Sequence, residues 1–185
     1  MGNHSRSLFS TWVALFLSLG SIACAYVTVI TATTLAQPSF IAVNGVYVSG
    51  ALLRGLLSSQ SSDILGRRIS VFISAALSLL GGALQVEFVH IAMFIAARLV
   101  EGLGIGSLFA VTPLFQSEVS PQAPGLIVGL HGIFISLGTI LCDWIGFGFY
   151  FVNAGGSQWR IPLAIQYVPT LILACGVWFI PESPR

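Results

Sequence analysis

The chain has 185 residues, of which seven are Arg, none is Lys and six are Asp or Glu; charged residues make up 7% and apolar residues 56%, and the mean hydropathy is +0.95. A globule in water covers itself with roughly 25% charged residues, so an ordinary soluble enzyme and a disordered tail are excluded. A net charge of +1 gives no field for nucleic acid. Lipid is the solvent for most of this chain.

A helical span needs about 20 apolar residues to cross a ~30 Å hydrocarbon core, and in lipid a helix satisfies its own backbone hydrogen bonds. The apolar runs lack the alternation of a membrane barrel, so the fold class is all-α polytopic membrane protein. Six spans are predicted. A tail over 1–10 precedes the first, at about 11–35, which is too long for a cleaved signal peptide. Gln37-Pro38-Ser39 makes a turn, because Pro stops a helix and restricts its neighbour. The second span, about 41–58, is short and carries Arg54. Asp63-Ile64-Leu65-Gly66-Arg67-Arg68 then turns the chain, with Gly for tightness and Arg as anchor. The third span is about 69–86, followed by a short loop at Glu87 and His90. The fourth is about 91–115. Ser120 to Gly125 is a loop, the fifth span is about 126–151, and Asn153 to Ser157 is a loop. The sixth is about 162–180, leaving 182–185 as the start of a linker.

Arg sets the orientation. The ends and the even-to-odd loops hold Arg6, Arg67, Arg68 and Arg185; the other loops hold Arg160. Both termini are therefore expected on the cytoplasmic side, where Asn3-His4-Ser5 would escape glycosylation. Arg6 spoils the myristoylation pattern after Met1-Gly2. Cys24, Cys142 and Cys175 are far apart, without the spacing of a zinc site or disulfide framework.

Five ionisable residues fall inside spans: Arg54, Arg98, Glu101, His131 and Asp143. Such residues are costly in lipid and face a partner or a wet cavity. Arg98 and Asp143 lie at similar depth and are expected to pair; Glu101, three residues from Arg98, is the rival. Gly102, Gly104 and Gly106 let helix backbones approach closely; Ser107 in the third position spoils the dinucleotide-binding spacing. Glu118 is expected to meet Arg67 or Arg68 at one membrane face. Nothing in the set makes a catalytic constellation, so an enzyme, a cofactor and a bound metal are not expected.

Four motifs carry a resemblance: Gly66-Arg67-Arg68 after the second span, Arg98 with Gly102, Gly104 and Gly106 in the fourth, Pro113-Leu114-Phe115-Gln116-Ser117-Glu118 at its end, and Pro181-Glu182-Ser183-Pro184-Arg185 after the sixth. Trp159 to Gln166 and Gly148 to Phe151 add to it. Together they resemble the sugar-porter family of the major facilitator superfamily, in its fungal form. The resemblance implies transmembrane carriage of a hexose or related sugar or polyol, coupled to protons in some members, in the plasma membrane. It implies the N-terminal six-helix half of a twelve-span fold in which two halves rock about a central site. Arg98, His131 and Asp143 would line or brace the cavity. Asp63, Arg67, Arg68, Glu118, Glu182 and Arg185 would form cytoplasmic gate ion pairs. The chain also departs from the family. Val27 stands for the first-span Asp of proton-coupled members, Gly132 for a sugar-binding Gln, and an Arg usual after Pro124 is absent. The partners expected are a sugar, protons, lipid, and a second half or full-length relative. The alternative is a non-transporting fragment or regulatory subunit bound to such a relative.

Overall fold

A computed structural model describes residues 2–34, 41–87, 89–119, 124–151 and 157–179. The described residues form helices α1 (Gly2–Thr34), α2 (Ile41–Leu65), α3 (Arg67–Val86), α4 (Ile91–Val119), α5 (Pro124–Tyr150), α6 (Ser157–Ile165) and α7 (Tyr167–Gly176), ending in a 3₁₀ turn at Val177–Phe179. Four helical stretches are long and apolar enough to cross a membrane: 67–86, 91–118, 129–149 and 160–179; Leu15–Ile30 is a shorter apolar stretch.

The helices outrun the predicted spans. α1 begins at Gly2 rather than near Thr11, and α2 continues through Asp63 to Leu65. No Pro interrupts either helix, and nothing requires a helix to stop where lipid stops. α5 starts on Pro124, whose missing N–H is harmless in the first turn. The sixth span is two helices, not one. Pro169 has no N–H to give the Ile165 carbonyl, and its ring crowds that carbonyl. The helix breaks at Gln166, whose carbonyl accepts a 3.0 Å bond from Thr170 Oγ1. The turn around 37–39, the loop residues 120–123 and 153–156, and the segment 182–185 lie outside the described residues.

α4 is the centre of the bundle, with α2 and α3 along two of its sides. Glycine sets those approaches. A β-carbon on Gly102 would strike the Tyr47 carbonyl, and one on Gly106 would strike Ala51, both on α2. On another side, a β-carbon on Gly104 would come within 2.5 Å of Ser78 N and 2.8 Å of Ser74 O on α3, and one on Gly81 within 2.6 Å of Glu101 N. α1 packs on α5 and on α4. Leu17, Val71, Leu108, Phe115 and Leu173 share one buried apolar cluster that joins α1, α3, α4 and α7. Tyr26, Ile30, Cys142 and Leu163 form a second, between α1, α5 and α6.

Candidate functional site

Polar assemblies interrupt this apolar packing, and three of them, among the described residues, hold the Arg67–Glu118 pair, the Arg98–Glu101 pair and His131. The first lies where α2 turns into α3. Gly66 has φ 88 and ψ 150, a region that is essentially glycine's own. The turn is fixed by Gly66 N–H to Ser62 O and by Ser70 N–H to Gly66 O, both 3.1 Å. It sets Arg67 at the first position of α3, facing the end of α4. Arg67 Nη2 lies 3.0 Å and Nε 3.1 Å from Glu118 Oε1. Arg67 Nη1 donates to Ser62 Oγ at 3.2 Å and to the Asp63 carboxylate one turn earlier. One planar fork with several donors suits this double recognition, which a lysine could not reproduce. Arg67 is 19% and Glu118 29% exposed, so water screens the pair only in part. Arg68, the other candidate for Glu118, turns to the sixth span instead. It donates to the Trp178 carbonyl and stands 5.1 Å from the centre of that indole ring, with Phe72 edge-on at 5.4 Å. Glu182 and Arg185 lie outside the described residues.

The second assembly is internal. Arg98 and Glu101 have no exposed side-chain surface, and Arg98 Nη1 is 3.3 Å from Glu101 Oε2. Gln85 Nε2 on α3 donates to the same oxygen at 2.6 Å. The guanidinium lies 5.4 Å from the Phe94 ring centre and 5.8 Å from that of Tyr47, and Tyr47 Oη meets Thr28 Oγ1 of α1 at 3.1 Å. The expected Arg98–Asp143 pair is therefore corrected: Arg98 takes Glu101, and Asp143 is exposed on α5. Equal depth was not enough, because Arg98 works in the α3–α4 seam while α5 lies mainly along α1.

The third assembly joins α1, α4 and α5. His131 is buried, with Nδ1 2.5 Å from Ser21 Oγ and the Phe109 ring edge-on at 5.6 Å. Gln116 Nε2 donates to Ser18 Oγ at 3.0 Å. Gly132, one residue on, is exposed, and a β-carbon there would meet nothing within 4 Å. The two neighbours thus look different ways, and His131 does not stand on the face of Gly132. Sequence reasoning overlooked Gln85, Gln116, Ser18, Ser21 and Ser62. The amides carried a usable signal, since a Gln inside an apolar span must find a partner.

Residues 4–185 match the family described as "Sugar (and other) transporter". The chain belongs to this sugar transporter family. Its similar relatives include the MFS-type transporter criB of Aspergillus cristatus, 36% identical over 94% of this chain and 41% of the relative. A high-affinity glucose transporter of Kluyveromyces lactis is 39% identical over 80% of this chain and 28% of its own length. Among solved structures, a double-tryptophan mutant of XylE, the E. coli xylose transporter, superposes with a TM-score of 0.87 at 20% identity. That match covers 97% of this chain and 46% of the other, and it speaks for the fold. The chain thus spans less than half the length of each of these proteins. It is a multi-pass helical membrane chain of a transporter family, not of an enzyme family.

Proposed function

We propose that this chain is the N-terminal half of a carrier that moves a hexose or related sugar or polyol across the plasma membrane, working with a second six-helix half. Both termini face the cytoplasm. The observation that carries the reading is the Arg67 cluster, in which Asp63, Arg67 and Glu118 tie the α2–α3 turn to the end of α4. An ion cluster at one end of a bundle can hold that end shut in one state and release it in another. Arg68 on Trp178 brings the end of the sixth span to the same turn. The Arg-rich side is the cytoplasmic one, so this end is the inner mouth. Arg98 and His131 are buried and brace the wall of the cavity. Asp143, exposed on α5, is left to the face that meets the second half.

The test is uptake of labelled glucose by yeast lacking its hexose carriers. The chain is joined to the unmatched remainder of the K. lactis transporter, and membrane insertion is checked first. Uptake well above that of an empty vector is expected. A correctly inserted, expressed protein that takes up no hexose or polyol would overturn the reading.

A further inference from the structure

Arg98 and Glu101 lie seven and ten residues into α4, or about 10 and 15 Å along it at 1.5 Å per residue, near the middle of a ~30 Å core. Both side chains are wholly buried. A guanidinium does not give up its proton in a protein, so Arg98 needs an anion wherever it sits. The described acidic residues leave one choice. Asp63 and Glu118 serve Arg67 at the end of the bundle, Glu87 and Asp143 are exposed, and α1 has no acidic residue. Only Glu101 among them comes within ion-pair distance.

We propose that Arg98 and Glu101 form a self-neutralised pair carried on a single helix, with Gln85 as the positioning residue that holds the carboxylate, and that this pair exchanges no proton. The groups around it are neutral. α3 supplies the Gln85 amide, and α2 the Tyr47 ring. The α6–α7 junction supplies Gln166 and Tyr167; Glu87 stands beyond Tyr167, exposed at the end of α3. A proton on Glu101 would leave Arg98 as a lone buried charge, the costly outcome when one partner of a buried pair is lost. The pair is also insensitive to helix movement. Residues three apart on one rigid helix stay together when that helix shifts against its neighbours, whereas Arg67 and Glu118 sit on different helices. On the transport reading above, the consequence is that any proton coupling in this half runs through groups other than Arg98 and Glu101.

Infrared titration of the chain in lipid nanodiscs tests the pair without any transport. Between about pH 5 and pH 8, above the range near ~4 where water-exposed carboxyls titrate, the chain with Asp143→Asn, which removes the carboxyl exposed inside a span, should show no carboxyl group taking up a proton. In Arg98→Leu the stranded carboxyl should protonate within that window, and its band should vanish in the double variant Arg98→Leu/Glu101→Leu. The double variant should be more heat-stable than Arg98→Leu or Glu101→Gln alone. A titrating carboxyl within the window in the Asp143→Asn chain would overturn the proposal, and so would a double variant less stable than both singles. The Asp143→Asn titration decides even where a variant at Arg98 or Glu101 fails to fold. Absence of uptake would count against the transport reading, with the infrared titration still deciding the pair.

Discussion

Arg67 reaches Asp63, Ser62 and Glu118 at once because Gly66 turns the chain through a backbone that other residues avoid. Replacing Gly66 by Ala should strain the turn by about 1–3 kcal/mol and swing Arg67 off Glu118. Thermal unfolding in detergent should show the loss, and Glu118→Gln with Gly66 intact should cost less, about 1 kcal/mol for a partly screened pair. An equal loss in both variants would mean that the turn does not position the ion cluster. The sequence announces Arg67 and Glu118 because charges are rare in an apolar chain and must be answered. It does not say which Arg goes to which partner. Arg67 and Arg68 are adjacent, and the choice falls to the faces of α3: one meets the end of α4, the other meets Trp178. Arg98 shows the same limit. Two carboxylates were available in the sequence, and the packing of α5 on α1 decided between them.

At the scale of elements, α4 is a helix built to be approached. Gly102 and Gly106 admit α2, and Gly104 admits α3. In lipid such seams stand on packing rather than on a hydrophobic drive, so a single methyl group matters. Gly104→Ala should separate α3 from α4 and destabilise the bundle by about 1–3 kcal/mol. Gly132→Ala, on the open side of α5, should be neutral or stabilise by about 0.5–1 kcal/mol as helix propensity predicts. Comparing melting temperatures of the two variants checks this, and a similar loss in both would contradict the seam. The glycine spacing made close approach legible, since residues four apart share a face. That Gly104 serves a different neighbour follows from the roughly 100° each residue turns around a helix. Helix ends were less legible. Lipid thickness bounds a span but not a helix, so α1 and α2 run on. The break at Gln166 was written in Pro169, yet a continuous apolar run concealed it.

For the whole molecule, α2, α3, α4 and the sixth span converge at one end on Arg67 and Arg68, while the interior charge is answered within α4. On the proposed gating, opening that end means breaking contacts between helices, while the buried Arg98–Glu101 pair travels with α4. Family and fold were legible because the motifs fall in order along the chain. The most direct measurement uses Ser62→Cys in a chain whose own cysteines are replaced by Ser. Ser62 is fully buried beneath Arg67, so a thiol there is shielded while the ion cluster is closed. A gate closed by the Arg67 cluster predicts slow labelling by a water-soluble maleimide, applied from the cytoplasmic side, and labelling about fivefold faster when Glu118→Gln removes an ion-pair energy of ~1 kcal/mol from the closed state. Equal labelling rates with and without Glu118, or labelling from the outer side only, would contradict it.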